Sequence, residues 1–190
     1  MDATSQAPRR KDAQRNREAI LCAARELFAE SVDVPMYEVS RRAGVGQATL
    51  YRNFPERTDL AAAVIAEEFE KEERLADEYA GDPDALFVVL NSVMQNMARF
   101  HGLVALVREH SCLNSPLEEH RRRLAELLRC ALRDAKAAGS VRRDLTVDDI
   151  FLVLSMLRGA LEGAATPAAR AAAASRALTL VLDGIAPSAG

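Results

Sequence analysis

Gln47, Thr49, Tyr51, Arg52 and Asn53 fall within seven consecutive residues, and together they form an array suited to a nucleic acid. Glutamine and asparagine amides pair with adenine edges, and arginine grips guanine through two parallel hydrogen bonds. Threonine and tyrosine hydroxyls suit phosphates or the surroundings of a thymine methyl. Arg57, just beyond, would bind phosphate and so add affinity without sequence preference. Arg9-Arg10-Lys11 would do the same as an arm, or would serve only as a solubilising tail. Tyr51 also fits a packing role, with its hydroxyl left at the rim.

Side chains of this kind must be presented by a short rigid helix with one apolar face. Val39 and Ala43 lie four apart and share a helix face; Leu50 and Phe54 do the same further on. Between them Gly44-Val45-Gly46 makes a corner, Gly44 suiting the left-handed position past a helix end. Pro55 stops the second helix, because the residue before a proline is pushed out of helical geometry. Val39, Ala43, Val45, Leu50 and Phe54 can then bury one small core and leave the far side of the second helix polar. Two short helices joined by a glycine-containing turn form the helix-turn-helix unit, whose second helix enters a DNA major groove. The same spacing also fits an ordinary helical hairpin.

Three stretches narrow the choice: Ile20-Leu-Cys-Ala-Ala-Arg-Glu-Leu-Phe-Ala-Glu30, Val39-Ser-Arg-Arg-Ala-Gly-Val45, and Thr49-Leu-Tyr-Arg-Asn-Phe-Pro55 with Asp59-Leu60. From about Arg15 to Leu60, roughly a quarter of the chain, the sequence closely resembles the DNA-binding domain of the TetR (tetracycline-repressor) family of bacterial regulators. The resemblance implies an all-helical C-terminal domain that dimerises through its last two helices and binds a small molecule. It also implies that Tyr51 contacts phosphate and that the protein represses by occupying promoters. Three departures stand out. The link between Phe28 and Met36 lacks the usual glycine and is one residue short, Gly46 replaces a frequent Ser cap, and Arg57 stands where Lys is common. Glycine still caps a helix, a few tenths of a kcal/mol less well than serine.

The remaining sequence agrees with an all-α protein. The 190 residues are 49% apolar and 28% charged, with only seven prolines and nine glycines, and they show almost no strand-like alternation. No apolar run approaches the ~18 residues needed to cross a bilayer, and the polar, basic N-terminus is no secretory signal; the expected location is the cytoplasm. A net charge of −3 conceals a division: residues 1–58 hold ten Lys or Arg against eight Asp or Glu, and residues 59–80 hold eight acids against two bases. A basic patch, rather than a basic whole, is what DNA attracts. The expected organisation is a disordered basic arm over 1–12, a helix-turn-helix head over 13–58, a helical body over 59–185 and a frayed tail over 186–190. Thr58 is a candidate cap for a long acidic helix to about Tyr79, through which movement of the body could reach the head. Further helix starts are marked by Asp82-Pro83, Ser115-Pro116, Thr146 and Thr166-Pro167, each a capping residue or a cap with a first-turn proline.

Within the body, Leu86, Leu90, Val93, Met97 and Phe100 form one helical stripe, and Phe87, Met94, Ala98 and His101 a second. A helix apolar on two sides is buried on both or lines a cavity. Met94, Met97, His101, Leu128, Met156 and Arg158, with Cys112 and Glu162, are therefore candidate ligand contacts for a largely apolar effector, methionine being adaptable to varied shapes. A plain core accounts for a methionine stripe equally, and Arg158 and Glu162, four apart, could simply satisfy each other. The helices near Val147–Glu162 and Ala168–Asp183 carry more apolar surface than one copy needs, unless they complete the monomer core. A symmetric four-helix interface would bury it and make a homodimer able to read a palindromic operator. His101, His110, Cys112 and His120 lack any recognised metal-ligand spacing, so neither metal nor cofactor is expected. The three cysteines include no C-x-x-C pair, which fits a reducing compartment, and Cys22 is expected in the core of the first helix. With no catalytic triad arrangement and no phosphate loop after a strand, the protein is not expected to be an enzyme; a helical scaffold is the remaining rival.

Overall fold

The helix ends that capping residues and glycines mark in the sequence recur in the computed structural model, which describes residues 6–110 and 116–186. Among the described residues the regular elements are nine helices: α1 Gln6–Glu30, α2 Met36–Ala43, α3 Gln47–Asn53, α4 Arg57–Glu78, α5 Ala85–Arg99, α6 His101–His110, α7 Pro116–Ala138, α8 Val147–Glu162 and α9 Pro167–Ile185. The fold is all-α. Gly44, Gly81 and Gly139 follow α2, α4 and α7 with φ of 67°, 83° and 73°, the left-handed conformation that glycine adopts without a Cβ clash. Thr146 caps α8 in a full capping box with Asp149, and Thr166 accepts from the Ala169 N–H ahead of Pro167.

Several boundaries differ from expectation. The arm expected to be disordered through Asp12 is helical from Gln6; Pro8 lies in the first turn of α1, where its missing N–H breaks no helical bond. Residues 1–5 of that arm, 187–190 of the tail, Cys112 and the Ser115 cap lie outside the described residues. Thr58 is not the cap of α4. The helix starts one residue earlier, and the Asp59 carboxylate accepts from the Glu56 N–H at 3.0 Å, which caps the start from inside. Cys22 is exposed rather than in the core, because the buried face of α1 runs through Ile20, Ala23, Ala24 and Phe28 and leaves Cys22 on the other side.

The chain forms two compact units. The first comprises Met1–Ile65 with Gly102–His110, the second Ala66–His101 with Ser111–Gly190, so the division falls inside α4 rather than at Thr58. In the first unit α1 packs on α2 and α3, and Ile20, Ala24, Val39 and Leu50 are fully buried. In the second, α5 packs against α7, α8 and α9 around a core that includes Leu86, Met94, Leu128, Leu157 and Leu161.

Gly44 sets the angle at which α3 leaves α2, so its backbone conformation should be measurable as stability. A Cβ added there meets no heavy atom within 4 Å, so Gly44→Ala is expected to destabilise the first unit only through the left-handed backbone, by about 1–2 kcal/mol. Asparagine, which tolerates that conformation, should do less harm and valine more. Chemical denaturation of the three variants checks the order.

Candidate nucleic-acid interface

The corner between α2 and α3 is built from backbone bonds: Val45 N–H donates to the Ser40 carbonyl at 3.0 Å and Gly44 N–H to the Arg41 carbonyl at 3.2 Å. Gly46, extended at φ −69° and ψ 148°, occupies the cap position of α3 without a side chain, and its carbonyl accepts from Thr49 and Leu50. Leu50 is fully buried and Phe54 is 2% exposed, so the inward face of α3 is the one that its spacing indicates. Val39 completes the small core, while Ala43 and Val45 are only half-buried.

That orientation turns Gln47, Tyr51 and Arg52 to solvent. Tyr51, at 47% exposure, is not a core residue. Arg52 lies along its own helix, Nε donating to the Ala48 carbonyl at 3.2 Å and Nη2 to Thr49 Oγ1 at 3.0 Å. Thr49 is half-buried, and Asn53 folds back as well, its Nδ2 donating to the Thr49 carbonyl at 2.8 Å. One of its two amide N–H donors is thus engaged with the helix end, where it helps to terminate α3. Arg57 is half-buried, and its Nη1 donates to the Val32 carbonyl. One of its five donors therefore ties the α1–α2 link to the start of α4, a structural task that a phosphate-contacting residue need not have.

Two features of this surface carry no signal in the spacing. Tyr37, on α2, is 53% exposed, an aromatic left outside where its helix has an inward stripe through Met36, Val39 and Ser40. Arg17 of α1 sets its guanidinium 4.6 Å from the Phe54 ring centroid, a cation–π contact that braces the end of α3. Not all of the basic residues are unopposed: Arg42 pairs with Glu26 at 3.1 Å, and the hydrogen bond from Arg41 to Glu38 raises the Arg41 guanidinium further above its ordinary value.

In the second unit the candidate ligand contacts separate. Met94 and Leu128 are fully buried in the core cluster, with Met97 packed at its edge. His101 and Arg158 are half-buried; burial, followed by the charge of Arg170, lowers the His101 imidazole below its ordinary range. Met156 is 67% exposed and so points away from any interior site. It lies one residue from buried Leu157, a distinction that an apolar helix hides when it is read by composition.

Two family profiles match the chain: "Bacterial regulatory proteins, tetR family" over residues 20–64 and "Transcriptional regulator SbtR-like, C-terminal domain" over residues 82–187. Among solved structures, the chain is similar to a TetR transcription regulatory protein from Mycobacterium vanbaalenii, at 31% identity over 93% of this chain and 98% of that one, with a TM-score of 0.69. It is also similar to a TetR transcriptional regulator from Streptomyces coelicolor, at 30% identity over 91% and 99% of the two chains, with a TM-score of 0.65. A Staphylococcus aureus HTH-type transcriptional regulator is 32% identical over 92 residues, which make up 45% of this chain and 50% of the relative. The chain thus spans about half the length of the curated relatives it matches. With one profile on the head, a second across most of the body and full-length structural relatives, the chain belongs to the TetR family of helix-turn-helix transcriptional regulators.

Proposed function

We propose that this protein is a cytoplasmic, homodimeric repressor that occupies a palindromic operator and is released from it by a small, largely apolar effector. The observation that carries the DNA-binding part is the two-faced α3, with Leu50 and Phe54 buried and Gln47, Tyr51 and Arg52 exposed. Gln47 and Arg52 are the base readers, Tyr51 a phosphate contact, Thr49 and Asn53 supports for their geometry, and Arg57 a phosphate contact that also anchors the link at Val32. The exposed Leu152, Met156 and Leu180 of α8 and α9 support the dimer, since a second copy would cover them. The effector part rests on the half-buried Met97, His101 and Arg158. An effector can regulate only as far as it prefers the conformation that binds DNA poorly.

A gel shift on the DNA flanking the protein's own gene, followed by footprinting, is the direct test. Alanine at both Gln47 and Arg52 should abolish discrimination between operator and unrelated DNA, each bidentate contact being worth about 1–3 kcal/mol. Arg57→Ala should weaken binding to all sequences alike and lower the salt dependence by about one phosphate. Equal operator affinity in the wild type and the double variant would sink the assignment of α3 as the reading helix.

A further inference from the structure

Glu72 of α4 is only 2% exposed, where water does not solvate its carboxylate and charge must be met by neighbouring groups. Oε1 accepts from Asn96 Nδ2 of α5 at 2.8 Å. Oε2 stands 3.4 Å from His120 Nε2 of α7, yet neither Oε2 nor His120 Nδ1, both buried, has a hydrogen-bond partner. The His120 ring stacks face to face on Phe69, three residues before Glu72 on α4, and its side chain is 11% exposed. All four residues belong to the second compact unit.

Neighbouring acids on the same helix are matched by full cations. Glu68, also buried, pairs with Lys71, and Glu73 pairs with Arg123 at 3.4 Å. Glu72, the most deeply buried of the three, has an amide and an imidazole instead. Buried polar networks are normally completed, since each unsatisfied member carries a desolvation penalty that apolar packing would avoid. Packing does not call for a carboxylate here either. The spacing Ala61, Ile65, Glu68, Glu72 continues an apolar i, i+4, i+7 stripe into acids, where leucine would serve the core. A buried acid with one oxygen unsatisfied, beside an imidazole with one nitrogen unsatisfied and an aromatic face, has the composition of a recognition site.

We infer that Glu72, Asn96 and His120 recognise a small molecule through a protonated nitrogen, which donates to Glu72 Oε2, with Phe69 beside the ligand's apolar part. A cation supplies the missing donor and offsets the carboxylate charge. An anion would set like charges together where screening is weak, and a neutral alcohol would supply the donor without the charge. The inference rests on the small-molecule sensing proposed above and gives that sensing a ligand class.

Titration calorimetry on the full chain at neutral pH, without DNA, tests it with three probes of one shape: benzylamine, benzyl alcohol and benzoate. Benzylamine is expected to bind at least tenfold more tightly than benzyl alcohol, and benzoate least of all. Glu72→Gln, which keeps the shape and removes the charge, should erase the preference for the amine. Asn96→Ala should weaken benzylamine several-fold, and thermal unfolding of each variant shows that it is folded. The wild-type comparison needs no variant and decides alone if Glu72→Gln does not fold. Equal affinity for amine and alcohol, or a preference for benzoate, overturns the cation assignment and leaves small-molecule sensing standing. Absence of any benzylamine binding up to about 10 mM, a binding free energy weaker than about 3 kcal/mol, also overturns it. Because the assay contains no DNA, a failure of operator binding leaves its result unaffected.

Discussion

Met156→Arg is expected to leave the protein folded but monomeric, and to lower operator affinity by about 10²–10⁴-fold, the range that effective concentration contributes when a second half-site becomes intramolecular. Met156 is 67% exposed and Leu152, one helical turn before it, is 61% exposed; Leu180 on α9 is 54% exposed. Leu152 and Leu180 line one groove between α8 and α9, floored by Val181 and Ile185. Ser155, Gly159 and Ala160 lie beside Met156 on the exposed side of α8, and small residues of this kind allow another helix to approach closely. An arginine at Met156 would place two like charges against each other across a two-fold axis, among the exposed apolar side chains of Leu152 and Leu180. Leu157→Arg, at the neighbouring position, should behave in the opposite way. Leu157 is 3% exposed within its own monomer's core, so an arginine there unfolds the unit before any question of assembly arises. Leu178 packs against that same core, so charge at Leu178 also tests the fold. Light scattering and thermal unfolding of the Met156 and Leu157 variants separate the two effects. A dimeric, fully active Met156→Arg protein would remove α8 from the proposed interface.

The contrast between Met156 and Leu157 marks the limit of what the sequence discloses. Helix ends are legible because they are local events: a left-handed residue needs glycine at Gly44, and an orphan N–H needs an oxygen at Thr146 or Thr166. The inward face of α3 is legible because Leu50 within the seven-residue helix and Phe54 at its C-cap have only one way to be buried together. On α8, apolar residues cover most of the circumference, so burial is decided by which neighbours arrive, and periodicity alone cannot rank Leu157 over Met156. The first turns of α1 fail for the reverse reason. They carry no apolar stripe, yet their backbone continues the helix that begins the core at Ile20. Glu72 and His120 are further from reach, since an acid on an acidic helix reads as solvated until α5 and α7 are seen to enclose it. The tie between Arg57 and the Val32 carbonyl spans the whole helix-turn-helix and has no local signature.

Leu50→Ala should abolish DNA binding while leaving the second unit folded and the protein dimeric. Leu50 is fully buried at the only turn where α3 contributes a completely enclosed side chain. Removing three carbons, a methine and its two methyls, from such a site costs about 2–5 kcal/mol, the larger values arising where the surroundings cannot close the cavity. Whole domains are stable by only about 5–15 kcal/mol, and the head is a small compact unit with a correspondingly small apolar core. The loss therefore approaches the head's entire margin. α3 is short, well below the ~12–15 residues at which an isolated helix becomes even marginal in water, so it depends on Leu50 and Phe54 for its existence as a helix. Without it Gln47 and Arg52 have no common scaffold, and contacts that need both to be aligned are lost together rather than in part. The core of the second unit, from Ala85 to Ile185, contains none of these residues. Its unfolding transition should stay within a degree or two of wild type, since surface-like effects on a separate unit are small. Calorimetry is expected to show the wild-type profile losing only its head component, with light scattering unchanged. Tyr51→Phe, on the exposed side of the same helix, should leave both transitions in place and weaken binding to all DNA alike. If Leu50→Ala lowered the body transition as far as the head transition, the two units would be one cooperative structure, and the head could not be switched apart from the rest.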